Sequence, residues 1–133
     1  MKPYNYAKHH IEECRTDDPA RKCARLFAEE NMGSLLVKDE QGAEAGLLTD
    51  KVLFKAIAEG ANLAEKKVSD LQIEPLIRVG KDAGIEEIRE KFPQSPSGRL
   101  AMCDKDGKIV GILKKKNIQR FYALRMAREM TKK

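Results

Sequence analysis

The chain repeats itself. Slid by 65 positions, it matches itself without a gap. Asp17 falls on Asp82, Phe27 on Phe92, Gly33 on Gly98 and Leu35 on Leu100. Asp39 then falls on Asp104, Gly42 on Gly107, Gly46 on Gly111, Leu48 on Leu113 and Lys51 on Lys116. A period of this length marks units that bury their apolar faces only against a neighbour. Glycines that coincide in three places, with hairpin aspartates between them, imply a shared backbone. One half of about 60 residues would be marginal alone. Two halves are therefore expected to pack face to face about a pseudo-twofold axis, dividing the 133 residues into 1–64 and 65–133.

Each half reads in the same order. An extended stretch ("HIEEC", "EPLIRV") leads to an Asp suited to a helix cap, with Pro19 placed for a first helical turn. Cys23, Leu26 and Phe27 in one half, and Ile85, Ile88 and Phe92 in the other, recur at helical spacing. Two short apolar runs follow, "SLLV" then "AGLL" and "RLAM" then "KIVGIL". Each pair is joined by a turn that opens on Asp and carries Gly near its end, a hairpin signal. "DKDG" lacks the glycine position and the closing Glu of a calcium loop, and reads as a turn. A second helix closes each half. The spacing predicts β-α-β-β-α twice, an α/β (α+β) fold, with "GANLAEKKVSD" as the linker.

The rest of the composition narrows the function. Cys14, Cys23 and Cys103 are isolated, with no Cys-x-x-Cys pair, and stand where small buried hydrophobes belong. His9 and His10, with Cys14, make a poor metal set. No nucleophile–base pair stands at a recognisable spacing, so no enzyme is expected. No apolar run is long enough to span a membrane, and no secretory signal is visible, so a cytoplasmic protein is expected. The net charge of +5 comes from 26 basic and 21 acidic residues interspersed over most of the chain. Basic residues concentrate at Lys114–Lys116 and in the tail Arg125, Arg128, Lys132 and Lys133. Nucleic-acid binding through them is the least favoured reading, because Trp is absent and no basic motif is interleaved with aromatics.

The residues of the repeat resemble a tandem cystathionine-β-synthase (CBS) domain pair, the Bateman module, in its stand-alone form. The first half supplies "ARLFAEENMGSLLVKDEQGAEAGLLTDKVLF" and the second "IEEIREKF" and "RLAMCDKDGKIVGILKKKNI", with "KVSDL" before it. The resemblance covers roughly residues 5–125. It implies a non-catalytic sensor that binds an adenine nucleotide, or S-adenosylmethionine, in clefts between the paired halves, commonly as a dimer. It also implies a signature, Gly-h-h-Thr/Ser-x-x-Asp with h apolar, at the junction of the last strand and last helix. There the hydroxyl caps a helix whose N-terminus welcomes phosphate, and the Asp accepts from ribose hydroxyls.

Both copies depart from that signature. The first reads Gly46-Leu47-Leu48-Thr49-Asp50-Lys51-Val52, keeping the hydroxyl and losing the carboxylate. The second reads Gly111-Ile112-Leu113-Lys114-Lys115-Lys116-Asn117, with Lys for the hydroxyl and Asn for the carboxylate. Asn can still pair with a ribose hydroxyl and Val cannot, so the cleft with Asn117 is preferred. By the resemblance it groups Ile11, Glu12, Met32, Gly33 and Ser34 with Lys114, Lys116 and Asn117. The weaker cleft groups Thr49, Leu76, Ile77, Gly98 and Arg99. Three lysines at a helix N-terminus oppose the helix dipole, a conflict that an anion would relieve. ATP, ADP or AMP is thus expected ahead of the cationic S-adenosylmethionine, with no cofactor required.

Association is also expected. Val52, Leu53, Ala56 and Ile57, and separately Ile118, Phe121, Tyr122 and Met126, recur at helical spacing, and the second set suggests a helix-to-helix homodimer. The expected partner is a regulated enzyme or transporter. The alternative is a ligand-free interaction module whose clefts have decayed.

Overall fold

The computed structural model describes residues 2–30 and 32–131. Two compact units emerge, and each holds one β-α-β-β-α repeat. Glu12–Leu76 forms one; Met1–Ile11 together with Ile77–Lys133 forms the other. The repeat boundary expected near residues 64 and 65 is a statement about sequence, and packing groups the residues differently. The leading segment packs with the second repeat, and the linker stays with the first.

The first unit runs β1 (Glu13–Arg15), α1 (Ala20–Glu30), β2 (Ser34–Lys38), β3 (Glu44–Thr49) and α2 (Asp50–Ala58). The second runs β4 (Arg78–Gly80), α3 (Ile85–Lys91), β5 (Arg99–Cys103), β6 (Ile109–Lys114) and α4 (Lys115–Thr131), with a 3-10 turn at Pro3–Tyr6 packed beside them. Each sheet has three strands: the first pairs in parallel with the second, and the second pairs antiparallel with the third. The register repeats with the sequence. Leu35 faces Leu48 and Leu100 faces Leu113, and all four are fully buried. Even the bulge recurs, between Val37 and Lys38 and between Met102 and Cys103.

The central strands are continuous apolar runs, buried on both faces, and the residues of one face build the two cores. Leu35, Val37 and Leu48 pack with Cys14, Cys23, Leu53 and Val68. Leu100, Met102 and Leu113 pack with Val79, Ile88, Phe92 and Ile118. Cys14 and Cys23 thus occupy the positions that Val79 and Ile88 hold in the other repeat. The neighbouring Cys23 thiol and burial push the Cys14 ionisation far above the ordinary thiol range. Each such side chain contributes about 1.5–3 kcal/mol on full burial for the larger aliphatics, less for cysteine.

Turn chemistry is also shared. Asp39 Oδ1 accepts the backbone N–H groups of Gln41 and Ala43, both at 2.9 Å. Asp104 Oδ1 accepts those of Asp106 and Lys108 at the same distance. Gly42 and Gly107 take φ of 82° and 85°, which only glycine adopts without strain. The aspartates expected to cap the first helix of each repeat do otherwise. Asp18 accepts the N–H of Arg15 at 2.9 Å, bracing the turn before α1. Asp82 lies two residues ahead of the Gly84 cap and pairs with Lys2 on the surface. The stretch read as a linker is bound into the first unit: Val68 is fully buried, and its N–H donates to Asp18 O at 2.9 Å.

Candidate functional site

Strand-to-helix junctions place the residues of interest. In the first unit Thr49 ends β3 fully buried, and its Oγ1 accepts the Val52 N–H at 3.4 Å to cap α2. The Asp50 N–H donates to Gly33 O at 3.2 Å, tying the junction to the residue before β2. Val52, where the family signature has Asp, packs its side chain against the core. Ser34 pairs with Thr49, Met32 packs against the core, and Glu12 O accepts the Leu36 N–H at 3.0 Å. Leu76 is half-buried at the end of this unit.

The second unit repeats the joint and changes its chemistry. The Lys115 N–H donates to Gly98 O at 2.8 Å, the counterpart of the bond between Asp50 and Gly33. Gly98 takes φ of 65°, so the loop turns there in a conformation that side chains resist. No hydroxyl stands at the cap, since Lys114 ends β6. Ile77 O accepts the Ala101 N–H at 2.8 Å, and Ile11 is half-buried where the leading segment ends.

A chain segment bridges antiparallel to the outer strand of each sheet beside the signature glycine. In the second unit Lys8 and Ile112 exchange backbone hydrogen bonds, both at 2.9 Å. In the first, Leu47 and Glu74 do the same at 2.9 and 2.8 Å. The glycines at 46 and 111 serve this close passage. In the second unit the passing segment is pinned by aromatic groups. Tyr4 Oη donates to Val110 O at 3.2 Å and its ring stacks on His9, 4.3 Å between centroids. Tyr6 meets Phe121 edge-on at 5.2 Å. Asn117 Nδ2 donates to Tyr6 O at 3.2 Å, so the residue expected to read ribose holds the leading segment to α4. Its Oδ1 is the atom left to accept a hydroxyl.

Beside this joint lies an open pocket of about 520 Å³. Arg99 and Lys114, assigned from sequence to different clefts, are register partners at the end of the β5–β6 hairpin, and both line it. Lys115, Lys116 and Gly98 line it too; Asn117 does not. Arg99 is shaped by a contact that sequence reading missed: buried Ser95 accepts the Arg99 backbone N–H on Oγ at 2.9 Å. The only signal for it was the turn-forming run "SPSG". Arg99 Nε is buried without a hydrogen-bond partner among the described residues.

The helices answer the association expectation only in part. Ile118 is buried, and Phe121 and Tyr122 pack against the core of their own unit, Phe121 edge-on to Tyr6 and Tyr122 beneath Arg89 of α3. Met126 is 60 % exposed, joined on α4 by Leu124 and Met130. Lys132 and Lys133 of the basic tail lie outside the described residues.

The sequence pattern of the CBS domain matches residues 5–59 and again 68–124. The chain belongs to the CBS domain family. Among curated relatives, uncharacterized protein MK0525 of Methanopyrus kandleri is 26 % identical over 102 residues, 76 % of this chain and 52 % of that protein. Uncharacterized protein MJ1232 of Methanocaldococcus jannaschii is 30 % identical over 111 residues, 81 % of this chain and 36 % of that one. The chain therefore spans about half or less of these relatives. The CBS domain protein TA0289 of Thermoplasma acidophilum superposes with a TM-score of 0.78 at 20 % identity, covering 91 % of this chain and 68 % of that one. The CBS domain pair of MJ0100, solved with 5'-methylthioadenosine and S-adenosyl-L-methionine, gives 0.75 at 17 %, covering 92 % and 99 %. CBSX2, from Arabidopsis thaliana, solved with AMP, gives 0.66 at 22 %, covering 96 % and 98 %. These likenesses establish the CBS-pair fold. Among the described residues no helix is long and apolar enough to cross a membrane.

Proposed function

We propose that this CBS pair is a non-catalytic regulatory module that binds an adenine nucleotide and passes its occupancy to a partner enzyme or transporter. Two CBS domains in one chain support the reading, as do the adenosyl compounds and AMP held by MJ0100 and CBSX2. The observation that carries it is the basic joint at the start of α4. There Lys114 and Lys116 offer charge to a phosphate, and Asn117 Oδ1 can accept from a ribose hydroxyl. Ile11, Glu12, Met32, Gly33 and Ser34 enter as base contacts carried by the family resemblance, and Thr49, Leu76, Ile77, Gly98 and Arg99 as a weaker set. The lysines favour AMP, ADP or ATP over the cationic S-adenosylmethionine. Regulation requires that the nucleotide bind one conformation better than another.

Thermal melting of the full chain tests this. A nucleotide at a hundred times its dissociation constant adds about 2.7 kcal/mol, several degrees in Tm for a chain of this size. A rise with AMP, ADP or ATP that disappears in Lys114→Glu/Asn117→Val supports the reading. No rise with any of them favours the ligand-free interaction module. That second reading draws on the exposed Leu124, Met126 and Met130, and on Phe54 and Ile57 of α2. Sedimentation of Met126→Glu against the parent chain tests whether copies associate through α4.

A further inference from the structure

We infer that the groove between Tyr6 and the outer half of α4 is a site for an amphipathic carboxylate, an apolar chain or ring system that ends in a carboxylate group. The inference goes beyond the adenine-nucleotide reading and does not rest on it, since none of its residues is among those given to the nucleotide.

Shape and lining are the first argument. The groove holds about 520 Å³, within the range of roughly 300–1,000 Å³ usual for small-molecule sites. Tyr6, Phe121, Leu124 and Ala127 give it an apolar wall. Tyr6 and Phe121 meet edge-on at 5.2 Å and pack against the core of their unit, so that wall is anchored. Leu124 is 53 % exposed, an aliphatic side chain that a ligand tail would take out of water. Every one of these residues belongs to one unit.

Charge is the second argument. Arg125, Arg128 and Thr131 supply the polar part of the lining, and no Asp or Glu does. Arg128 forms no ion pair among the described residues. Arg125 reaches Glu129 at 3.9 Å, an exposed pair of the kind that contributes little and gives way to a better acceptor. A guanidinium meets a carboxylate through two parallel hydrogen bonds and keeps its charge beside apolar surface. A second copy of the chain is the poorer occupant. α4 carries Lys115, Lys116, Arg120, Arg125 and Arg128 against Glu129 alone, so two such helices laid together would repel.

The third argument is where the cations stand. α2 has 9 residues and α4 has 17. The second CBS match ends at residue 124, and Arg125, Ala127, Arg128 and Thr131 all lie beyond it. The charged end of the groove is thus an addition to the repeat, made by the extra turns of α4.

Calorimetric titration of the full chain with dodecanoate, kept below its micelle-forming concentration, tests the site. Saturable binding is expected. Arg125→Gln/Arg128→Gln should weaken it roughly tenfold or more through lost charged hydrogen bonds, with Tm unchanged because both side chains are exposed. Leu124→Glu attacks the apolar wall and should weaken it as much, so a folding defect in one variant leaves the other informative. Octanoate, with its shorter tail, should bind roughly tenfold or more weakly than dodecanoate. Dodecyltrimethylammonium, the same tail with the opposite charge, should not compete. No saturable binding, binding indifferent to both variants, or equal binding of the cationic tail overturns the site. Self-association that Leu124→Glu abolishes, with no dodecanoate bound by the parent chain, would assign the groove to a second copy and overturns it too. ATP should not displace dodecanoate, whether or not ATP itself binds, so either reading can fail alone. Displacement would put the carboxylate in the nucleotide's place and overturn this site.

Discussion

Gly46 and the carbonyl of Glu74 leave no room for a side chain between them. A Cβ on Gly46 would lie 2.6 Å from the Glu74 oxygen, and the segment carrying that oxygen is held to Leu47 by two backbone hydrogen bonds. At Gly111 the nearest atom to such a carbon is Tyr4 Cε1, at 3.1 Å, on a ring that can tilt. Gly46→Ala should therefore destabilise by roughly 2–4 kcal/mol, through strain and weakened bridge bonds, and Gly111→Ala by clearly less. Urea unfolding of the two variants measures both; equal losses would contradict the close approach of the bridging segment at Gly46.

Asn117 makes a second comparison possible. Asn117→Ala deletes one hydrogen bond to Tyr6 O and should cost about 1 kcal/mol. Asn117→Asp restores the family's residue but sets a carboxylate against a carbonyl oxygen, and should cost more than Ala. Amide exchange at Lys8 and Ile112, whose bonds hold the same segment, should quicken in both variants. Unchanged exchange would show that Asn117 does not anchor it.

Tyr122 places its hydroxyl out of water with no partner among the described residues, while Arg89 sits 5.1 Å over its ring. Tyr122→Phe keeps the ring and removes the unsatisfied group. A gain of about 1 kcal/mol is expected, read as a higher urea midpoint at unchanged slope. A loss would mean that the hydroxyl is bonded in solution.

The three thiols should separate by rate. Cys103 is half-buried, its Sγ 3.7 Å from Arg78 Nη1 at the end of β5, and should react promptly with a disulfide reagent. Cys14 and Cys23 are buried, and Cys14 is held as the neutral thiol, so both should react only on unfolding. Prompt reaction of more than one thiol in the native protein would contradict the packing.

The sequence by itself determined the repeat, the order of elements and the hairpin register. Each rests on local rules: glycine where φ is positive, Asp where a turn offers free N–H groups, short apolar runs where a strand is buried. It also placed Cys14 and Cys23 in the core, where the other repeat has Val79 and Ile88, whereas Cys103, expected to be buried as well, lies half-buried at the end of β5. Only the tertiary structure decided the partners of residues far apart along the chain. It turned Asn117 to Tyr6 and folded Phe121 and Tyr122 onto the core of their own unit. It also put Arg99 beside Lys114, although sequence reading had assigned them to separate sites. Such pairings depend on which segment lies against which strand, and that choice leaves no mark in the spacing of either segment.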